Sequence, residues 1–206
     1  MSHDDPVADA LLSESAYERT RYRQFGWFNQ SITRKLTVQS YLLHLLAAVL
    51  PVLAMLPEEI RVRYFGGPIA DAAPTVGVAA LAAAGVVTVG GAGLIAVALF
   101  VLARGDRLDD ETARAVRSVE RICSMTGLVT GGVATLAVYT FALMGFGGIE
   151  TVQTWIAVGG GNPYAPSGIR LPLATVAAAV LGLGVGLRVA AAYFRARGVG
   201  EPGRSG

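Results

Sequence analysis

The chain has 206 residues, of which 53% are apolar and only 16% charged, whereas soluble domains carry roughly 25% charged residues. A net charge of +2 is too small to imply a nucleic-acid partner, and Cys123, the single cysteine, excludes an intrachain disulfide or a CxxC site. The charges crowd between long stretches that hold none, which is the pattern of an integral membrane protein.

Residues 1–35 are mostly polar, acidic first (Asp4, Asp5, Asp9) and basic afterwards (Arg19, Arg21, Arg23, Arg34, Lys35). A signal peptide would place its apolar core here, so none is expected. Asp5-Pro6 reads as a helix start, with Asp at the cap and Pro in the first turn. From Arg21 to Phe28, the aromatic rings of Tyr22, Phe25, Trp27 and Phe28 are interleaved with Arg21 and Arg23. Rings favour the headgroup level and Arg favours anionic lipid, so Arg21, Arg23, Phe25, Trp27 and Phe28 are expected to form an interfacial anchor on the lipid bilayer.

Four apolar runs follow: Leu36 to Leu56, Thr75 to Ala103, Ile122 to Gly148 and Leu171 to Phe194. Each reaches the roughly 20 residues needed to cross a hydrocarbon core. Backbone groups in lipid must be paired internally, so the runs are expected to be helices. The expected architecture is all-α: a four-helix membrane bundle over residues 36–197, preceded by the amphipathic segment 1–35 and followed by a disordered tail, 198–206.

Arginine placement sets the expected orientation. The N-terminal segment carries five basic residues, the loop 104–121 five, and the C-terminal end four including Arg188. The other two loops hold only Arg61, Arg63 and Arg170. The positive-inside rule therefore predicts a multi-pass protein of the cell membrane with both termini cytoplasmic. Within the loop 104–121, residues 108–121 read as a helix running into the third span. Asp109, Asp110 and Glu111 begin it, later arginines suit its dipole, and Glu120 is placed to pair with Arg117 or an arginine elsewhere. The loop 57–74 contains a Gly66-Gly67-Pro68 turn. The loop 149–170 ends in a Gly- and Pro-rich run, and Trp155 and Tyr164 are expected at the outer interface.

The spans are rich in small residues. Gly127-x-x-x-Gly131 and Gly182-x-x-x-Gly186 are spaced to let helix backbones approach closely, either inside the bundle or between chains. The third and fourth spans are accordingly expected among the close contacts. His44 lies inside the first span and Arg188 inside the fourth. By rise per residue both fall in the cytoplasmic half, at a height near Thr126 and Thr130. These four residues form the candidate polar cluster, since ionisable groups within spans are rare and often functional. A bis-histidine haem is excluded, because the other histidine, His3, lies in the polar tail.

The loop from Asp106 to Arg114 resembles the first half of the CDP-alcohol phosphatidyltransferase signature, DxxDGxxAR. Asp110 stands where the glycine belongs, and Cys123, Gly127 and Gly131 stand where the second half requires a glycine and two aspartates. Without those carboxylates a magnesium site is not formed, so no enzyme, metal or cofactor is expected. The function expected is that of a non-enzymatic accessory or scaffold subunit that packs against other membrane helices or against itself. The alternative is a small oligomeric transporter or channel using the polar layer around His44 and Arg188.

Overall fold

A computed structural model describes residues 30–104 and 108–199. Among these residues every regular element is helical, apart from an isolated antiparallel bridge between Pro74 and Pro166. In chain order the α-helices are α1 (Ile32–Ala47), α2 (Val49–Ala54), α3 (Glu58–Phe65), α4 (Thr75–Arg104), α5 (Asp110–Ser124), α6 (Gly131–Leu143), α7 (Gly148–Ala157) and α8 (Leu173–Ala196). A π-helical segment, Met125–Thr130, joins α5 to α6, and a 3-10 turn, Met144–Gly147, joins α6 to α7. Four segments are long and apolar enough to cross a membrane: Ile32–Ala54, Thr75–Arg104, Asp110–Ala157 and Leu173–Ala196.

Local sequence explains the breaks. Pro51 has no N–H for the Ala47 carbonyl, and its ring crowds that oxygen, so the helix is interrupted at Ala48 between α1 and α2. The Tyr139 hydroxyl donates to the nearby Leu45 carbonyl at 2.7 Å. Asp109 caps α5 by accepting from the Thr112 N–H at 3.3 Å. Gly148 takes φ 81°, a conformation that suits glycine, and breaks the helix so that α7 folds back to bring Trp155 against Phe141 of α6, ring centroids 5.8 Å apart. At the end of α8, Gly198 (φ 71°) and Val199 send their N–H groups back to the carbonyls of Arg195 and Phe194. That is a Schellman cap. Gly198 and Val199, expected in the tail, thus belong to the end of α8, with Val199 buried; residues 200–206 lie outside the described residues.

The long segments pack around one apolar core. Glycines mark where they touch. A Cβ on Gly184 of α8 would meet the Leu43 Cβ and His44 of α1, and one on Gly77 or Gly91 of α4 would meet Leu173 or Leu187 of α8. A Cβ on Gly90 would lie 2.6 Å from the Gly127 Cα, and Gly131 fits against Val87. α1 packs most heavily on α8, and α4 contacts α1, α8 and the whole run from α5 to α6. In cross-section α1 and α4 occupy the middle, with α8 and the third segment at opposite corners. The main contact of the third segment is therefore with α4, and that of α8 is with α1.

At the end remote from the arginines, the loop after α7 is pinned to the start of α4. Thr75 and Val76 donate backbone N–H groups to Ala165 and Pro163, and Ser167 and Leu173 donate to Ala73 and Ala72. Tyr164, 1% exposed, drops from this loop to the end of α6. Its hydroxyl accepts from the Gly145 N–H at 2.7 Å and lies 3.0 Å from the Phe141 carbonyl. One side chain thus satisfies orphaned backbone groups where the helix ends.

Candidate functional site

The arginine-rich end holds two separate polar groupings. The first lies on the α1–α8 seam. His44 Nδ1 is 2.6 Å from the Ser40 carbonyl; the carbonyl can only accept, so the ring carries its proton on Nδ1. The same Nδ1–Cε1 edge of the ring rests where Gly184 lacks a side chain. One turn nearer the arginine-rich end, the Arg188 guanidinium lies over the Tyr41 ring, 5.0 Å from its centroid. His44 and Arg188 thus share one seam at adjacent heights. His44 is half-buried, whereas Arg188 is exposed on the outer edge.

Thr126 and Thr130 belong elsewhere. Both sit in the π-helical segment, which packs on α4, with Thr126 half-buried and Thr130 exposed. No hydrogen bond joins either hydroxyl to His44 or Arg188. Similar height does not bring the four residues together, because the central helices stand between the two corners. The glycine pairs also divide. Gly127 and Gly131 face α4, whereas Gly182 and Gly186 have open space where a Cβ would project, and Gly184 between them makes the close contact. Arg21, Arg23, Phe25, Trp27 and Phe28 lie outside the described residues, as does Asp106.

The second grouping was not foreseen as a unit. Lys35 of α1 and Glu120 of α5, each 2% exposed, form an ion pair at 2.5 Å. Arg117, 11% exposed, donates to the other Glu120 oxygen at 3.0 Å. Pairing of Glu120 with Arg117 follows from their i, i+3 spacing; the second cation is the chain's only lysine rather than another arginine. The signal was the inward stripe of α5, in which Ala113, Glu120 and Ser124 are buried. One turn deeper, the Gln39 side chain is wedged between Gly91 of α4 and Gly127. Its amide oxygen and nitrogen are buried without partners, as are the hydroxyls of Ser40 and Thr37. Buried amides of this kind are uncommon, and each unmet group costs roughly 1–3 kcal/mol.

Among the described residues no three His, Cys, Asp or Glu side chains are grouped to hold a metal. Asp109, in the loop that resembles a metal motif, is engaged in capping; its hydrogen bonds to Thr112 hold its carboxyl below the usual range. No protein-family model, curated protein or solved structure matches the chain. Function therefore has to be argued from the packing surfaces and the two polar groupings themselves.

Proposed function

We propose that the chain is a non-enzymatic accessory or scaffold subunit of the cell membrane, inserted with both termini on the cytoplasmic side. The observation that carries this reading is the open face of α8. Thr175, Ala178, Ala179, Gly182 and Gly186 are all exposed there, and no neighbouring atom occupies the space beside either glycine. Inside the chain, the close approaches between long helices are made by other glycines, among them Gly77, Gly90, Gly91, Gly93, Gly127, Gly131 and Gly184. A small-residue face that the chain does not use for itself is suited to close van der Waals packing by a second transmembrane helix. The buried Lys35–Glu120–Arg117 grouping fits the same role. It fastens α5 to α1 and holds the scaffold in one arrangement.

The alternative, a small oligomeric transporter or channel, is supported by one observation: His44 and Arg188 share the α1–α8 seam. Purification from native membranes in mild detergent separates the two. Partner membrane proteins that co-purify with the wild type, and are lost from a Gly182→Leu/Gly186→Leu variant of unchanged melting temperature, support the subunit. A stable homo-oligomer that conducts solute in proteoliposomes holding this chain alone would overturn it.

A further inference from the structure

The α1–α8 seam carries positive charge that nothing in the described structure balances. Arg188 lies two turns inside α8, yet it is exposed and rests on Tyr41. The residue seven positions later, on the same face of α8, is Arg195; seven positions before Tyr41, on the same face of α1, is Arg34. The two helices run antiparallel, with Tyr41 beside Arg188 and His44 beside Gly184. Arg34 and Arg195 therefore stand at one level, about 10 Å nearer the end of the seam than Arg188. Both are exposed. Neither α1 nor α8 contains an Asp or Glu, and none of these three arginines forms an ion pair among the described residues. Between the two levels the groove along this seam is lined by Tyr41 on α1 and Ala192 on α8, both exposed.

We infer that this groove binds the phosphate of an anionic phospholipid from the leaflet on the arginine-rich side. Arg34 and Arg195 flank the phosphate at headgroup level. Arg188, too deep for water, extends its chain along the seam toward the same phosphate. The Tyr41 ring forms an apolar wall for the upper part of an acyl chain. Membrane charge is the natural counter-ion for a cation at this depth, since an unpaired charge in hydrocarbon is costly. Basic grooves between helices on the cytoplasmic side suit anionic headgroups. The inference rests on the membrane placement proposed above, but not on a partner helix. The Gly182–Gly186 face lies roughly 140° around α8 from Arg188.

The test uses the full chain purified in a neutral detergent, with lipid binding followed by native mass spectrometry and by melting. Phosphatidylglycerol is expected to bind and to raise the melting temperature, more than phosphatidylcholine does. Arg188→Gln and Arg195→Gln are each expected to weaken phosphatidylglycerol binding about fivefold. Arg188→Lys retains most of the binding, and Arg170→Gln, at the opposite end, retains all of it. Millimolar inorganic phosphate is not expected to compete. Equal binding of the two lipids, wild-type binding by Arg188→Gln and Arg195→Gln, or full competition by inorganic phosphate would each overturn the inference. Because the assay needs neither partner nor bilayer, these failures leave the scaffold reading untouched, and loss of that reading leaves this result standing.

Discussion

Replacing Glu120 by Gln tests the grouping that fastens α5 to α1. The substitution keeps the side-chain shape but removes the charge that balances Lys35, which is only 2% exposed. Arg117, 3.0 Å from the other oxygen of the same carboxylate, loses that ionic contact as well. Removing one partner of a buried ion pair costs roughly 3–5 kcal/mol, because the other charge stays desolvated. For a chain of this size each kcal/mol moves the melting temperature by about 2–4 °C, so the fall should be about 6–20 °C. The double variant Lys35→Met/Glu120→Leu removes both buried charges. Apolar replacement of a whole buried pair is often neutral or stabilising, and Arg117, 11% exposed, can reach solvent along its own stem. Thermal melting of the detergent-purified chain, with size-exclusion profiles as the folding control, gives both values. Melting of Glu120→Gln within about 2 °C of wild type would refute the reasoning, since a buried ion pair cannot lose one member at so small a cost.

Gln39→Met should raise the melting temperature by several degrees, because it fills the same space and removes two unpaired polar atoms costing roughly 1–3 kcal/mol each; a lower value would mean that the amide has a partner in solution. Gly127→Ala places a methyl group on the Gln39 amide and should destabilise by about 1–3 kcal/mol; Gln39→Ala in the same chain should restore part of the loss, which a double-mutant cycle of melts measures. Burial pushes the Tyr164 phenol up to about 12, against an ordinary value near 10. The unfolded chain therefore loses this proton first, so the contribution of Tyr164 is complete below pH 10 and disappears between about pH 10 and 12. Tyr164→Phe should melt lower at pH 8 and show a shallower decline above pH 10; parallel melting curves for the two chains across that range would contradict the assignment. Asp109→Ala should loosen the first turn of α5, with hydrogen exchange at Thr112 and Ala113 rising while α6 is unchanged.

Some of this structure is legible in the sequence, and the reason differs from one element to the next. The long apolar runs read directly, because composition alone makes a 30-residue stretch such as α4 a helix. The start of α5 was legible from Asp109, Asp110 and Glu111, since capping is a local event. Which glycines do the packing was not. Gly182 and Gly186 have the same spacing as Gly127 and Gly131, but spacing fixes only a face, and the partner of that face depends on how four helices are arranged around one another. The candidate cluster shows the same limit. Height along the helix could be counted from sequence, and His44 and Arg188 lie about one turn apart on the α1–α8 seam. Lateral position could not be counted, and Thr126 and Thr130 fall at another corner. Lys35 was hidden for a different reason: a lysine at the mouth of a span normally reaches solvent, and only the inward face of Glu120 turns it into a buried pair.

The central claim is that α8 offers its Gly182–Gly186 face to another transmembrane helix. A photo-cross-linking residue placed at position 182, and separately at position 181, in native membranes tests it, because both sites are exposed on α8 but the second lies about 100° around the helix from the first, off the small-residue face. A discrete protein adduct is expected from position 182 and lipid adducts alone from position 181. Lipid adducts alone from both, or the same protein adduct from both, would contradict it.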